Sequence, residues 1–439
     1  MGATEIILTN KSILLVLPVP LARSADGLLL ELQACNGLRL WLENFDHVTL
    51  ACPTKDFATA DMQWLPLSTV SGLERLTVVP LPMANTAVSF VRSFRDTARK
   101  LSKAIDESRY LQFAISGLIG DWASVAAVLS ARKNREYAVW TDVVGSEEIA
   151  AVRDRSRGLK RLKASVLTQA TVRYERWIIR NAALGLFHGM DTFQAYSSLC
   201  GVSHVTKDVN LDARARVSEQ RLNLRHPTSV AHLTHNVHLG SEMRVDPDLI
   251  EERNSGPNAA LRIAYAGRVE PHKGPDHWIE ALRIAKDAGA SFEAIWFGQG
   301  SELERSRETV VALRLEECVR FYGNVSDRDI LFRQLQACDV FMVCHRSKES
   351  PRCLIEALMC ALPIVGYYSH YAADLIKVHG GGILSTPNSP AQLAREICRL
   401  SADKDLRHSL AIAARNDSLD FDDVSVFRHR ADLIKSMGR

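Results

Sequence analysis

Short apolar runs alternate with helical patterns along most of the 439 residues, and this alternation limits the possible folds most strongly. The predicted strands of the first half span residues 12–18, 48–52, 76–81, 111–116, 137–141 and 184–187, with helices at 33–43, 90–108 and 122–132 among them. In the second half, strands at 263–266, 292–297, 319–322, 340–344 and 363–366 are again separated by helices. Apolar strands separated by helices are typical of parallel sheets that are covered on both faces. We therefore predict an α/β protein with two such sheets and a cleft between them.

The domain boundaries follow from length and from one linker. A chain of 439 residues exceeds what one hydrophobic core supports. The stretch 254–258 reads Asn-Ser-Gly-Pro-Asn and is the best linker in the chain. We predict an N-terminal domain over residues 1–253 and a C-terminal domain over 259–416. The remaining residues, 417–439, contain a helix that is predicted to pack back on the N-terminal domain.

Composition excludes several classes of protein. The net charge of +3 gives no reason to expect nucleic acid as a partner. The nine cysteines are scattered and include no C-x-x-C pair, which favours reduced thiols over disulfides or zinc. His235-x-x-His238 has no carboxylate or cysteine at ligand spacing, so no metal site is predicted. No secretory signal and no apolar run of about 18 residues is visible, and a cytoplasmic location is expected.

A basic, glycine-bounded loop follows the strand at 263–266. Arg268 and Lys273 lie between Gly267 and Gly274, and a helix pattern begins near Asp276. A strand, a short loop and a helix N-terminus together form an anion site, because free N–H groups and the helix dipole face the ligand. Arginine and lysine add donors suited to phosphate. A solvated loop with two basic residues is the alternative.

Two glutamates occur close to a second strand end. Glu349 is in a loop, whereas Glu356 is inside the otherwise apolar helix pattern of residues 353–358. A carboxylate among apolar groups is costly unless it is paired or hydrogen-bonded. Ligand hydroxyls would satisfy Glu356, as ribose does for acidic residues in dinucleotide sites. An exposed glutamate on a helix face is the alternative.

With these residues in view, the chain resembles the retaining glycosyltransferases of family 4, which have the GT-B architecture of two Rossmann-like domains. Gly267-Arg268 with Lys273-Gly274 is similar to the family's diphosphate loop, Gly298-Gln299-Gly300 to its Gly-x-Gly strand end, and Tyr322–Val325 to its Gly-x-Val segment. Residues 349–358 resemble its two-glutamate signature. The resemblance implies that Arg268 and Lys273 hold the donor diphosphate, Glu349 touches the donor sugar and Glu356 binds ribose. It also implies donor-binding positions at Gly27, Gly267, Gly274, Gly298, Val325 and Leu354.

The sequence departs from this family in two places. Six residues separate the glutamates where the family has seven, so Lys348 aligns with the first glutamate if Glu356 is held fixed. The glycine loop after strand one is represented by Asp26-Gly27, and Asp142 follows the strand after which the family often has histidine. Asp142 is therefore a candidate catalytic residue with an open role.

The resemblance implies a metal-independent hexosyltransferase that uses an NDP-sugar donor, needs no cofactor and glycosylates a saccharide or lipid-linked acceptor in polysaccharide or glycolipid biosynthesis. A sugar-nucleotide epimerase of the same fold and a non-catalytic nucleotide-sugar-binding protein are the alternatives. Residues 153–163 are the most basic patch in the chain, and the basic stretch continues from Arg153 to Trp177. It fits either peripheral contact with the inner face of a membrane or an ordinary solvated face.

Overall fold

The computed structural model describes residues 11–24, 27–56, 64–142, 144, 159–209, 211, 213–225, 260–325, 327–347 and 349–437. The chain divides into two compact units: Met1–Asn210 with Asp422–Arg439, and Leu211–Phe421. The predicted linker at 254–258 and the histidines at 232–238 lie outside the described residues.

The N-terminal unit carries one large sheet with helices around it. Its strands are β1 (Ser12–Val16), β2 (Leu21–Ser24), β3 (Gly27–Glu31), β4 (His47–Asp56), β5 (Trp64–Pro66), β6 (Leu76–Pro82), β7 (Tyr110–Ala114), β8 (Ala138–Thr141), β9 (Leu184–His188) and β10 (Ser203–Thr206). Its helices are α1 (Leu32–Asn44), α2 (Ala87–Asp106), α3 (Trp122–Arg132), α4 (Leu159–Arg180) and α5 (Gly189–Tyr196). Strands β10-β9-β8-β7-β1-β4 lie in this order and are parallel, and β6 also pairs with β4 in parallel.

The central strand β1 shows why this sheet is buried on both faces. All five residues of β1 are buried, and successive side chains point to opposite faces. Leu14 and Val16 join a core cluster on one face, which includes residues of α2 and α3. Ile13 and Leu15 join a second cluster that includes residues of α1. The predicted α/β class with parallel sheets is therefore confirmed.

The segment after β1 was predicted as a loop, but most of it forms two strands. It folds into an antiparallel hairpin in which Ser24 pairs with Gly27. Gly27 has a φ of 123°, and a Cβ added there would meet no atom within 4 Å. Its glycine is therefore explained by hairpin geometry rather than by close approach of other atoms. Alternating patterns as short as β2 and β3 carry little signal in sequence.

The C-terminal unit has a six-stranded sheet in the order β13-β12-β11-β14-β15-β16, and all five pairings are parallel. The strands are β11 (Leu261–Ala266), β12 (Phe292–Phe297), β13 (Val319–Gly323), β14 (Val340–Val343), β15 (Ile364–Tyr367) and β16 (Gly382–Ser385). The helices are α6 (Glu219–Arg225), α7 (Pro275–Asp287), α8 (Leu303–Ala312), α9 (Arg328–Gln336), α10 (Arg352–Met359), α11 (His370–Leu375), α12 (Pro390–Ala402) and α13 (Lys404–Asp417).

The unit boundaries differ from the sequence-based ones near residue 211. Val217 and Leu222 pack with Ala361 and Ala411, and the Val217 N–H donates to the Met359 carbonyl over 2.9 Å. These contacts place the described residues after 210 in the C-terminal unit, whereas the sequence assigned residues up to 253 to the first domain. The polar pattern around α6 gave no indication of such a contact.

The last helix, α14 (Asp423–Lys435), belongs to the N-terminal unit. Phe427 meets the Trp41 ring edge-on at 5.5 Å and lies against Gly37, where an added Cβ would be 3.3 Å from the phenyl ring. The buried guanidinium of Arg430 lies 5.2 Å from the Trp41 ring and 5.3 Å from the Trp140 ring. Aromatic packing and cation–π contacts thus hold the chain terminus on this sheet.

The loop after β7 depends on a buried carboxylate. Asp121 caps α3 by accepting the N–H groups of Ala123 and Ser124, and its other oxygen accepts those of Ser116 and Gly117. We expect Asp121→Ala to lower the free energy of unfolding by about 2–4 kcal/mol, because a cap is lost and buried donors lose their acceptor. The measurement is urea unfolding followed by circular dichroism.

The matched control for this prediction is Asp422→Ala. Asp422 caps α14 in the same unit by accepting one N–H, that of Ser425, over 2.9 Å. A single cap is worth about 1 kcal/mol. If both variants lose the same free energy of unfolding, the additional hydrogen bonds of Asp121 to Ser116 and Gly117 do not stabilise the fold.

Candidate functional site

Two loops meet where the strand order of the C-terminal sheet reverses. β11 lies next to β14; from β11 the sheet continues through β12 and β13 on one side, and from β14 through β15 and β16 on the other. Ligands of open α/β sheets bind outside the carboxyl ends of the strands at such a reversal. The loop 267–274 follows β11, and the loop 344–351 follows β14. Arg346 links them, since its N–H donates to the His272 carbonyl over 2.8 Å.

The first loop depends on glycines at two points of close approach. Gly274 has φ 70° and ψ 44°, a left-handed conformation, and a Cβ there would lie 2.2 Å from the Cys344 carbonyl oxygen. Gly298 has a φ of 149°, and its Cβ would lie 2.0 Å from the Gly267 carbonyl oxygen. Other residues are excluded at both positions by sterics and strain. Two of the predicted site glycines therefore let neighbouring backbones meet.

Lys273 and Glu349 form an ion pair across the two loops. The Lys273 Nζ lies 2.5 Å from the Glu349 Oε2, and the two side chains are 9% and 22% exposed. A charge removed this far from water requires a partner. Two residues that lie 76 positions apart and were predicted to act on one donor are thus brought together.

Two more groups hold the other oxygen of Glu349. His345 Nδ1 lies 3.2 Å from Oε1, and the Ser347 hydroxyl donates to Oε1 over 3.0 Å. Burial alone would raise the pKa of Glu349, but the hydrogen bond from His345 and the charge of Lys273 outweigh it and hold that pKa well below its usual value. The carboxylate is therefore ionised at neutral pH.

Arg268 contrasts with Lys273. Its side chain is exposed, and it forms no hydrogen bond or ion pair with any other residue that the structure describes. A guanidinium offers five donors in a planar fork suited to phosphate. In this arrangement the charge of Lys273 is matched by Glu349, and that of Arg268 faces solvent.

Glu356 has a partner that the sequence did not reveal. Its Oε1 accepts a hydrogen bond from the Arg328 guanidinium over 2.7 Å, with 16% of the glutamate side chain and 28% of the arginine side chain exposed. Arg328 is the first residue of α9, directly after the Asp327 cap. Only its basic character distinguished it in the sequence, and nothing there connected it with a residue 28 positions later.

The remaining predicted residues lie at several places. Leu354 is buried in α10, and Val325 is half-buried just after β13. Gly27 and Asp142 belong to the N-terminal unit; Asp142 is exposed just after β8. The structure therefore brings Lys273 and Glu349 into direct contact and leaves the roles of Gly27 and Asp142 as predictions.

The described residues contain neither a cluster of metal ligands nor a membrane-spanning helix. No group of three or more His, Cys, Asp or Glu side chains there could hold a metal ion. No helix in those ranges has the length and apolar character needed to cross a bilayer.

Comparison with known proteins matches part of the chain to glycosyltransferases. Residues 249–417 match the family model of the glycosyl transferases group 1. The amylovoran biosynthesis glycosyltransferase AmsK of Erwinia amylovora is 29% identical over 185 residues, which are 40% of this chain and 45% of that protein. The D-inositol 3-phosphate glycosyltransferase of Salinispora arenicola is 27% identical over 184 residues, 39% of this chain and 40% of that one. Less than half of each curated relative is therefore matched.

Solved structures extend the likeness to the whole fold. Anabaena HepE in complex with UDP superposes with a TM-score of 0.63 at 17% identity, covering 97% of this chain and all of HepE. WaaG, a glycosyltransferase involved in lipopolysaccharide biosynthesis, gives a TM-score of 0.60 at 14% identity, covering 97% of this chain and all of WaaG. The fold is that of the GT-B glycosyltransferases, with two Rossmann-like domains. The match to the glycosyl transferases group 1 model covers residues 249–417, which are less than half of the chain.

The ionised state of Glu349 has a measurable consequence. A carboxylate whose folded-state pKa is depressed adds stability above its unfolded pKa, and this contribution is lost as pH falls through the folded pKa. We expect Glu349→Gln to lower Tm most at pH 6–8 and progressively less below about pH 4. The measurement is the Tm difference between wild type and variant as a function of pH.

Glu304→Gln is the control, because Glu304 pairs with Arg307 while its side chain is 77% exposed. Its Tm difference should stay small at every pH, since exposed pairs contribute little. A Glu349→Gln difference that is independent of pH would contradict the ionised pair.

Proposed function

We propose that this chain is a retaining glycosyltransferase that moves a hexose from a nucleoside-diphosphate sugar to a hydroxyl group. The acceptor we propose is a saccharide or a lipid-linked saccharide, in polysaccharide or glycolipid biosynthesis. The observation that carries the proposal is the Lys273–Glu349 pair at the strand-order reversal of a glycosyl transferases group 1 domain. A cation and a carboxylate side by side match the diphosphate and the sugar hydroxyls of such a donor.

The donor diphosphate would be bound by Lys273 and Arg268. As the bond from the sugar to the diphosphate breaks, negative charge develops on the leaving phosphate, and fixed cations stabilise it. Two helices begin beside these loops without a side-chain cap: α7 after Gly274 and α10 after Pro351. The positive ends of their dipoles favour an anion. We propose that these cations and dipoles replace a divalent metal.

The nucleoside would lie on the α10 and α9 side of the site. Glu356 would accept hydrogen bonds from the ribose hydroxyls. Arg328, which donates to Oε1 of Glu356, would keep the carboxylate in a fixed orientation. Gly298 and Val325 would supply backbone close to the nucleotide. HepE has been solved with UDP and with UDP-glucose, which makes UDP-glucose the first donor to test.

Turnover tests the proposal. We expect Lys273→Ala and Glu356→Ala to lower kcat/KM for the donor at least about 100-fold. Lys273→Ala removes a cation from the leaving diphosphate, and Glu356→Ala removes the acceptor for the ribose hydroxyls. The measurement is release of nucleoside diphosphate from UDP-glucose, GDP-mannose and ADP-glucose, with saccharide acceptors and with EDTA present. NMR of the product gives the anomeric configuration.

Arg283→Ala is the control for these variants. Arg283 lies on α7, the helix that follows the loop 267–274. Its guanidinium pairs with the exposed carboxylate of Asp287 on the same helix. Its turnover should equal that of wild type. Wild-type rates in Lys273→Ala and Glu356→Ala would refute this site. Epimerised donor without transfer would favour an epimerase. Donor binding without sugar release would favour a non-catalytic protein.

We also propose peripheral contact with anionic lipid through the stretch from Arg153 to Trp177. Within its described part, Arg173 and Arg176 are exposed and Trp177 is 42% exposed. Basic residues beside an exposed indole suit the headgroup region of a membrane.

Vesicle sedimentation tests this contact. Arg176→Glu with Trp177→Ala should reduce binding to phosphatidylglycerol vesicles at least about fivefold, and 0.5 M salt should weaken wild-type binding. Helix α2 supplies the comparison, since Val91 and Phe94 are exposed there next to Arg95. If substitution of Val91 and Phe94 abolishes binding and substitution of Arg176 and Trp177 does not, the contact is made by α2 instead.

A further inference from the structure

A chain of hydrogen bonds connects the sheet core to Lys273. Tyr265 Oη lies 2.5 Å from His345 Nε2, His345 Nδ1 lies 3.2 Å from Glu349 Oε1, and Glu349 Oε2 lies 2.5 Å from Lys273 Nζ. Tyr265 lies on β11, and the other three side chains belong to the loops after β11 and β14. None of the predicted roles includes Tyr265 or His345.

The chemistry of the ends fixes every proton in this chain. An ammonium group only donates and an ionised carboxylate only accepts, so His345 Nδ1 must carry the proton that points to Glu349. The Nε2 of a neutral imidazole then accepts, and the Tyr265 hydroxyl donates to it. Burial lowers the pKa of His345, and the nearby charges of Lys273 and His272 lower it further. Glu349 raises this pKa but does not outweigh them, so the ring is neutral at pH 7. Burial also keeps the Tyr265 pKa well above its usual value, so the hydroxyl stays protonated.

Tyr265 is a rigid anchor for this chain. Its side chain is 1% exposed. Its ring lies 4.0 Å from that of Trp296 and 5.3 Å from that of Phe341, between strands of the sheet. The position of its hydroxyl is therefore set by the core. Through His345, that position is transmitted to a carboxylate in a loop.

We propose that Tyr265 and His345 are positioning residues that hold the Glu349 carboxylate at the donor sugar. This inference rests on the proposed function. A bound diphosphate competes with Glu349 for Lys273, and the carboxylate then loses its strongest partner. His345 and Ser347 remain on Oε1 and keep the carboxylate aimed while Oε2 becomes available to a sugar hydroxyl. In this way a glutamate one position away from the family's usual place is held firmly enough to act.

The kinetic test separates positioning from donor binding. His345→Ala should lower kcat about 10- to 100-fold with the donor KM changed less than about threefold, because the diphosphate is still held by Lys273 and Arg268. His345→Asn, whose amide N–H can replace Nδ1–H, should recover kcat to within about fivefold of wild type. Tyr265→Phe should lower kcat about threefold to tenfold. UDP-glucose, GDP-mannose and ADP-glucose are the donors used.

The chain offers a matched control in a second Tyr–His pair. Tyr367 Oη lies 3.0 Å from His277 Nδ1, in the same unit. That histidine has no hydrogen bond to Glu349 among the described contacts. Tyr367→Phe should leave kcat unchanged. A loss of kcat in Tyr367→Phe equal to that in Tyr265→Phe would show a general packing effect and overturn the inference.

A second measurement does not depend on turnover. Ring ¹⁵N spectra of the histidine-labelled protein, with the His345 signals identified by their loss in His345→Asn, should show a proton on Nδ1 and none on Nε2 at pH 7. Glu349→Gln should shift those signals, and Tyr265→Phe should shift the Nε2 signal. A proton on Nε2 in wild type would overturn the chain. If no donor is turned over but the spectra agree, the proposed function is wrong and the hydrogen-bond chain is still correct. If His345→Ala turns over donor with the kcat of wild type, the positioning role is wrong.

Discussion

The ion pair between Lys273 and Glu349 is the interaction on which the site depends. Each partner is largely withdrawn from water, and neither charge would be tolerated there alone. The pair can exist only because β11 and β14 are neighbours at the strand-order reversal, so that loops 76 residues apart end side by side. Gly274 allows this approach, since any side chain would meet the Cys344 carbonyl. On this geometry we base the proposal that Lys273 and Arg268 bind the diphosphate of a sugar donor and Glu349 a hydroxyl of its sugar.

Much of this fold could be predicted from sequence because its strands are buried on both faces. Five consecutive buried residues in β1 read as a strand without any knowledge of their neighbours. The hairpin of β2 and β3 could not be predicted, since each strand is four or five residues long and only partly buried. The association of Val217 with Met359 and Ala361 was also hidden, because contacts between distant segments leave no local periodicity.

The candidate site was predictable in its residue types and not in its pairing. Gly267, Arg268, Lys273 and Gly274 form a local pattern, and a local pattern can be read directly. Arg328 was missed because its only link to Glu356 is spatial. His345 and Tyr265 were missed for the same reason, and their contact also explains how Glu349 can be fixed at its shifted position. Whether Gly27 and Asp142 contribute stays a prediction.

We propose that the Lys273 ammonium exchanges a carboxylate for a phosphate when a donor binds. The most direct measurement is a crystal structure of the protein with UDP or with whichever nucleoside diphosphate binds it. We expect phosphate oxygens within hydrogen-bonding distance of Lys273 and Arg268, ribose at Glu356, and Glu349 still bonded to His345. A diphosphate bound away from these residues, with the Lys273–Glu349 pair unchanged, would contradict it.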